Sequence, residues 1–245
     1  MSTSTTTIAF FGATGGCGLS ALRRSLKIGH TCIALARTPA KLEALVPAAE
    51  NPNLAIRQGN AHDIAAVSSC LTKPSNPAAF VDHIVFTVGG AFQVSKWGLD
   101  DPNVCGTAMA TLVSAISTLR SEKGVAGRPR IVVVSTTGIS NHGRDVPVMF
   151  VPLYHVMLKG PHVDKKAMED KLVASGEDFV IVRPSLLNDG ETTKDIKVGV
   201  EDPAKGWERK ALGYFISRED VGRWIFENCL GDKVEYVGKA VTITT

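Results

Sequence analysis

Glycines at regular spacing mark the part of this chain whose residue types point most directly to chemistry. The segment that begins at Phe10 reads FFGATGGCGL, so Gly12, Gly15 and Gly18 stand three residues apart between an apolar run and a helical pattern. Gly12 suits a tight turn, Gly15 lets the backbone approach a pyrophosphate, and Gly18 lets the helix pack close to its strand. Because free N–H groups at a helix start attract anions, the spacing predicts a dinucleotide-binding turn. The alternative is a glycine-rich turn that binds nothing.

The residues after the second apolar run indicate which dinucleotide this turn would hold. Enzymes that use NAD carry a carboxylate there, about twenty residues past the glycines, on the ribose 2′-hydroxyl. This sequence has no carboxylate at that place and offers Arg37 and Lys41 instead. Since arginine pairs bidentately with phosphate and lysine adds a point charge, the pattern favours NADP(H) over NAD(H). The alternative is that both are solvated cations at the start of a helix.

Strand and helix patterns alternate along the chain in the way needed to position these residues. Apolar, β-branched runs predict six strands, at residues 8–11, 32–36, 54–57, 83–88, 130–135 and 179–182. Helical patterns lie between them, at residues 16–28, 39–46, 63–71, 103–122 and 163–175. Apolar strands joined by helices predict an α/β doubly wound fold, with a six- to seven-stranded, mainly parallel sheet and helices on both faces.

The pattern changes after Arg183-Pro184. Residues 185–216 are rich in polar residues and glycine, which predicts a small substrate loop or cap at about this place. A helix is expected at residues 218–230, capped by Ser217 with Asp220 at the third position, and residues 240–245 are expected to add an edge strand. We see no internal repeat and no linker, so residues 1–245 are expected to form a single domain.

Composition narrows the class of protein. A formal net charge of +3, with interspersed charges, argues against nucleic-acid binding. Five cysteines without a C-x-x-C pair favour reduced thiols in a cytoplasmic protein, and no histidine spacing matches a metal site. The first residues lack the features of a signal peptide. The longest apolar stretch, at 146–158, is interrupted by prolines and is too short to span a bilayer.

With these residues identified, the chain resembles the atypical short-chain dehydrogenase/reductases. Within them it is most similar to the flavin reductase (biliverdin-IXβ reductase)-like group and, more loosely, to NmrA-like NAD(P)-binding proteins. The likeness runs from about residue 7 to residue 230. It rests on the motifs at residues 12–15, 35–37, 59–61, 134–137, 182–184 and 216–222. The resemblance implies a Rossmann fold that binds NADP(H).

The resemblance also implies cofactor contacts in the loops that follow the strands, where ligands bind open α/β sheets. It places the phosphates at Thr14, Gly15, Gly16 and Cys17, and the 2′-phosphate at Arg37. It places the adenine beside Asn60 and Ala61; relatives usually have Asp where Asn60 stands, and either residue can bond the adenine amine. It lines the remaining pocket with Thr87, Val88, Gly89, Ser135, Thr136, Thr137, Pro184, Ser185 and Leu186.

The better-known members of this superfamily use a Tyr-x-x-x-Lys pair, in which the lysine lowers the pKa of a tyrosine on the same helical face. Here Tyr154 has Leu158 four residues later, and Lys159 stands one position too late. The resemblance to the flavin reductase-like group implies hydride transfer with a proton from solvent or a polar side chain. Thr137, Tyr154 and Ser185 are the catalytic candidates. The alternatives are ordinary loop-capping hydroxyls and a half-buried aromatic ring.

Residues 138–160 begin polar and become apolar. This pattern suits a mobile loop followed by a wall for a hydrophobic substrate, although a dimer contact or buried core would show the same pattern. On the next helix, Glu169 and Asp170 are expected to form a solvated face with Lys165, Lys166 and Lys171.

The sequence therefore predicts an NADPH-dependent oxidoreductase that reduces a small hydrophobic carbonyl, quinone or flavin-like compound. It is expected to act as a monomer or homodimer, without membrane or nucleic-acid partners. Two alternatives stay open. One is a non-redox enzyme of secondary metabolism, such as an isomerase, a dehydratase or a ring-opening enzyme, on the same fold. The other is an NADP-binding redox sensor of the NmrA type, against which the compact C-terminal region counts.

Overall fold

Strands and helices alternate along the computed structural model, which describes residues 5–90, 92–93, 98–99, 101–147, 149, 159–190, 195–232 and 235–245. The strands in these ranges are β1 (Thr7–Phe11), β2 (Thr31–Ala36), β3 (Leu54–Gln58), β4 (Thr72–Lys73), β5 (Asn76–Phe80), β6 (His83–Phe86), β7 (Phe92–Gln93), β8 (Gly98–Leu99), β9 (Arg130–Val134), β10 (Phe179–Pro184), β11 (Leu186–Asn188), β12 (Lys197–Asp202), β13 (Gly206–Arg209), β14 (Phe215–Ser217) and β15 (Lys239–Thr244). The helices are α1 (Gly16–Lys27), α2 (Pro39–Glu43), α3 (Ile64–Ser69), α4 (Val104–Lys123), α5 (Lys159–Ala174) and α6 (Arg218–Cys229).

Nine of the described strands form one sheet, in the order β13-β12-β15-β10-β9-β6-β1-β2-β3. The seven strands from β15 to β3 are parallel, whereas β12 pairs antiparallel with β15 and β13 pairs antiparallel with β12. Strand order reverses at β1, which has β2 on one side and β6 on the other. Ligands of open α/β sheets bind at such a switch point. The predicted doubly wound Rossmann fold is confirmed, with more strands than the six or seven expected.

The core lies in two layers, one on each face of this sheet. Along β1, Ile8 and Phe10 point to one face and Phe11 to the other, because successive side chains of a strand alternate. The first face is covered by α1 and α6, and the second by α3, α4 and α5. Burial on both faces explains why the parallel strands read as continuous apolar runs.

The segment predicted as a loop or small cap, residues 185–216, contains strands as well as loops in its described part. Its strands β12 and β13 extend the main sheet, and β11 pairs with β14 in a separate parallel ribbon. The predicted edge strand at residues 240–245 is therefore wrong in its position, since β15 lies between β10 and β12. The mixture of charged and apolar residues in β12 hides its strand character in the sequence.

Local signals placed the ends of several helices correctly. Ser217 caps α6, because its hydroxyl accepts a hydrogen bond from the Asp220 amide at 3.0 Å. All five cysteines are buried, and no disulfide joins any two of them. None of the helices in the described ranges is both long and apolar enough to cross a membrane.

Candidate functional site

The glycine turn between β1 and α1 is tightly packed against the end of β6. Gly12 has a φ of 97°, and a Cβ on it would lie 2.7 Å from the backbone of Thr87. A Cβ on Gly18 would lie 2.3 Å from the Thr87 hydroxyl, which donates to the carbonyl of Gly12 at 3.0 Å. Around Gly15, in contrast, there is open space. Close packing on one side and an open backbone on the other leave the start of α1 accessible to a ligand.

A cleft of about 1010 Å³ lies over this turn at the carboxyl ends of the parallel strands. Its volume is at the upper end of the range for small-molecule sites, about 300–1,000 Å³, and suits an extended ligand. Of the residues predicted to contact a cofactor, those lining the cleft are Gly12, Thr14, Gly15, Gly16, Cys17, Arg37, Lys41, Asn60, Ala61, Thr87, Val88, Gly89 and Ser135. These residues come from five different loops, and all of the loops border the same cleft.

The end of the cleft beside β2 and β3 carries the charge pattern expected for an adenosine 2′-phosphate. Arg37 and Lys41 are exposed there, and neither forms an ion pair with another described residue. His62 also lines this end of the cleft. Its backbone amide donates a hydrogen bond to the side-chain oxygen of Asn60, and its Nε2 lies 3.2 Å from the Val104 carbonyl oxygen. The sequence did not single out His62.

The opposite end of the cleft holds two polar groups, Ser135 and Lys165. Ser135 is 5% exposed, and its hydroxyl has no hydrogen-bond partner among the described residues. Lys165 Nζ donates to the carbonyl of Val134 at 2.7 Å and to that of Val88 at 3.1 Å. These bonds hold an ammonium on the cleft wall at the ends of β6 and β9. Buried polar groups are normally satisfied, so the Ser135 hydroxyl points to a bound ligand as its partner.

The structure corrects the prediction that Lys165 and Glu169 belong to a solvated face of α5. Lys165 faces the cleft, and Glu169, one turn later, is 3% exposed and bonded to Arg183. A signal for this was available, because Lys165 and Glu169 share their helical face with Met168 and Leu172, at spacings of three, four and seven residues. Both apolar residues are fully buried. The charges on that face therefore point inward.

The catalytic candidates from the sequence do not gather in the cleft. Ser185 is buried and its hydroxyl donates to Thr244 at 2.8 Å, and Thr137 is 2% exposed, so neither is among the residues that line it. Their contact with a substrate therefore stays a prediction. Tyr154 lies outside the described residues, as does most of the predicted apolar wall.

Three predicted cofactor contacts also lie off the cleft wall. Thr136 turns its hydroxyl to the Thr137 carbonyl, at 3.1 Å, and Pro184 is buried at the end of β10. Leu186 is not among the residues that line the cleft, whereas its neighbour Leu187 is. The two leucines belong to β11, where successive side chains point to opposite faces, so only one of the two lines the cleft.

Cys17 is in the cleft wall at the start of α1, where a helix N-terminus can activate a thiol. Burial is the larger influence here and raises the pKa of Cys17 to about 11. The thiol is therefore protonated at neutral pH and serves as a small residue in the turn.

One buried guanidinium, that of Arg183, holds buried carboxylates from two other parts of the chain. Arg183 on β10 bonds both oxygens of Glu169, at 2.7 and 3.0 Å, and one oxygen of Glu201 on β12, at 2.8 Å. Asp145 is buried nearby; one of its oxygens accepts from the Gly138 amide at 2.9 Å, and the other has no partner among the described residues. Burial raises the pKa of Asp145, with Arg183 opposing and Glu201 assisting.

Replacing Asp145 by asparagine is expected to change how stability depends on pH. Because the folded-state pKa of Asp145 is raised, its neutral form favours folding below the ordinary aspartate pKa, and that contribution is lost as pH rises through the raised value. Asparagine stays neutral, so Asp145→Asn should unfold at a higher temperature than wild type at pH 7, with a difference that shrinks toward pH 4. Thermal unfolding between pH 4 and 8 measures this. Parallel curves for the two proteins would contradict it.

Taken together, the cleft offers a glycine-lined anion site, a cationic end and a buried polar end. Among the described residues, the charged ones that line it are four cations, Arg37, Lys41, Lys165 and Arg218, and one carboxylate, Asp101. This balance suits a ligand with several negative charges. The open backbone at Gly15 and the unpartnered Ser135 hydroxyl fit a dinucleotide that extends from β3 to β9.

Known proteins similar to this chain point in the same direction. The NAD(P)H-binding family matches residues 12–232. The chain is 43% identical to reductase pytE of Aspergillus terreus, with all of both chains covered. It is 33% identical to oxidase pynE of Aspergillus niger, covering 97% of this chain and 98% of that protein.

Solved structures share the fold at lower sequence identity. A short-chain dehydrogenase/reductase from Veillonella parvula DSM 2008, in complex with NADP, is 16% identical, with a TM-score of 0.72 and coverage of 98% of this chain and 94% of that chain. ChuY, an anaerobillin reductase from Escherichia coli O157:H7, is 18% identical, with a TM-score of 0.66 and coverage of 97% and 96%. Likeness at this level extends to the fold alone.

Proposed function

This chain belongs to the NAD(P)H-binding family and is an oxidoreductase; on that premise we propose that it reduces a small hydrophobic carbonyl, quinone or flavin-like compound with NADPH. The resemblance inferred from its motifs to atypical short-chain dehydrogenase/reductases is confirmed. The single observation that carries the proposal is the cleft, with cations at its ribose end and the Ser135–Lys165 pair at the other.

The preference for the phosphorylated dinucleotide rests on Arg37. This side chain follows β2 at the place where an NAD enzyme has a carboxylate, and it has no competing ion pair among the described residues. Its planar guanidinium can bond two oxygens of a 2′-phosphate at once, and Lys41 adds a second positive charge. NADH lacks that phosphate and gains nothing from either residue.

The acceptor is proposed to lie beside Ser135 and Lys165. NADPH, when bound, supplies a hydride, and the acceptor takes that hydride together with a proton. The Lys165 ammonium can stabilise negative charge that develops on an acceptor oxygen, since its carbonyl partners hold it on the wall. The Ser135 hydroxyl can donate a hydrogen bond to the same oxygen or to the cofactor. Leu187 also lines the cleft and offers an apolar surface to the acceptor.

Several expectations from the sequence complete the proposal. We place the protein in the cytoplasm, as a single domain that acts as a monomer or homodimer on a small-molecule substrate. Reductase pytE and oxidase pynE carry names for opposite directions of electron transfer, so both directions belong in the assay. The burial of Thr137 and Ser185 leaves Ser135 and Lys165 as the proposed groups nearest the reaction, with Tyr154 as a further prediction.

Replacing Arg37 by alanine should weaken binding of NADPH by about 1–3 kcal/mol, because hydrogen bonds to charged groups typically contribute that much. Binding of NADH should be unchanged. Calorimetric titration of wild type and variant with both dinucleotides measures the effect. Arg128→Ala is the matched control, because Arg128 is an exposed arginine just before β9 that pairs with Asp178 outside the cleft.

Enzymatic turnover is measured next, with the same protein and the same dinucleotides. NADPH consumption with quinone, flavin and conjugated carbonyl acceptors would establish the reductase, and NADP⁺ reduction would establish the reverse direction. Tight binding without turnover in either direction would instead favour a redox sensor or a non-redox enzyme on this fold. If wild type binds neither dinucleotide, the proposal is wrong.

A further inference from the structure

Arg218 lies against the glycine turn, although it was not among the cofactor contacts predicted from the sequence. It is the first residue of α6, about two hundred residues after the turn, and it lines the cleft. Its Cδ is 3.3 Å from the place where a Cβ on Gly16 would stand. The side chain therefore lies beside the start of α1, where a Cβ at position 16 would crowd it.

This position is electrostatically unfavourable without an anion. The N-terminus of α1 carries the positive end of its helix dipole, and no acidic residue stands in the first turn of α1. Arg218 is itself in the first turn of α6, where cations are also disfavoured. The first turn of α6 also holds Glu219 and Asp220, so it is the N-terminus of α1, with the Arg218 guanidinium beside it, that has no acidic residue of its own.

The nearby carboxylates are engaged elsewhere. Glu219 pairs with Arg24 at 2.8 Å, and Asp220 bonds Ser217 and Arg223. Arg218 pairs with Asp189, at 2.8 Å, just after β11. The Asp189 side chain is 89% exposed, and ion pairs in such a setting contribute little.

We propose that Arg218 is a second anion-binding residue of the cofactor site, whose guanidinium exchanges Asp189 for the pyrophosphate of the bound dinucleotide. This inference rests on the proposed function and adds a residue to it. A pyrophosphate at the start of α1 supplies negative charge that the N-terminus of α1 lacks and that Arg218 receives only from the exposed Asp189. Arginine can bond two of its oxygens at once. The exposed pair with Asp189 holds the side chain at the site until that ligand arrives.

The test compares two arginines that contact different phosphates. Arg218→Gln should raise the Kd of both NADPH and NADH by a similar factor, about tenfold or more, because both dinucleotides carry the pyrophosphate. Arg37→Gln should raise the Kd of NADPH alone. Calorimetric titration of each variant with each dinucleotide gives the four factors, and thermal unfolding without ligand checks that both variants fold.

Asp189→Asn separates contact with the ligand from support of the cleft wall. It breaks the same ion pair but keeps the guanidinium, so both dinucleotides should bind at least as tightly as to wild type. If Asp189→Asn weakens binding as much as Arg218→Gln does, Arg218 acts by holding the wall and the inference is overturned. An unchanged Kd in Arg218→Gln, or a loss confined to NADPH, overturns it as well. Wild type that binds neither dinucleotide overturns both this inference and the proposed function, whereas the other outcomes leave the function standing.

Discussion

Replacing Lys165 by methionine is expected to lower kcat/KM for NADPH-dependent reduction about 10²- to 10³-fold. Removal of one preorganised donor to a developing oxyanion typically has an effect of this size. Methionine keeps an unbranched side chain along the helix but removes the ammonium and its bonds to Val88 and Val134. Those carbonyls lie on the cleft wall, where water can solvate them, so we expect the variant to fold.

The adjacent lysine provides the control for this measurement. Lys166 forms an ion pair with Asp170 along the outer side of α5 and is not among the residues that line the cleft. Lys166→Met makes the same chemical change one residue away and should leave steady-state rates unaltered. Equal rates for wild type and Lys165→Met would remove Lys165 from the reaction. A loss that appears only as weaker NADPH binding would assign it to the cofactor instead.

Replacing Arg183 by methionine should lower the free energy of unfolding by about 3–5 kcal/mol, the usual effect of removing one partner from a buried ion pair. The change leaves Glu169 and Glu201, each less than 5% exposed, without their shared counter-charge and close to Asp145. Urea denaturation at neutral pH gives the value.

Two further variants test the electrostatic cause. Adding Glu169→Gln and Glu201→Gln to Arg183→Met removes the unpaired charges and should recover most of the lost stability. Arg120 makes a comparable two-bond pair with Glu177, but its own side chain is 41% exposed, so Arg120→Met should cost only about 1 kcal/mol. A loss no greater in Arg183→Met than in Arg120→Met would show that burial does not govern the strength of this pair.

The sequence predicted the fold and the cleft well because both depend on local patterns. Parallel strands buried on both faces are continuous apolar runs, and the turn after β1 requires glycine at Gly12 and Gly18 for steric reasons. Ligand contacts then follow from topology, since loops after parallel strands meet at one edge of the sheet. That is why residues as distant as Arg37 and Ser135, which the family resemblance assigned to one site, line the same cleft.

The features that the sequence could not predict arise from contacts between residues that lie far apart in the chain. Glu201 is a charged residue on a buried face of β12, and its partner Arg183 comes from another strand, so nothing local marks the segment as part of the sheet. The same pairing turns Glu169 inward. Arg218 reaches the glycine turn because α6 packs against α1, which the order of elements along the chain does not reveal.

The junction between α4 and α5 has a consequence for how the chain folds. Asp164 of α5 is 3% exposed, and its two oxygens accept the amides of Cys105 and Gly106 at the start of α4, each at 2.8 Å. The first turn of α4 is thus completed by a side chain about sixty residues later. Because the first turn of α4 takes two of its hydrogen-bond acceptors from α5, we expect the two helices to form and open together. Since Lys165 is the next residue, we expect its bonds to Val88 and Val134 to form in the same step.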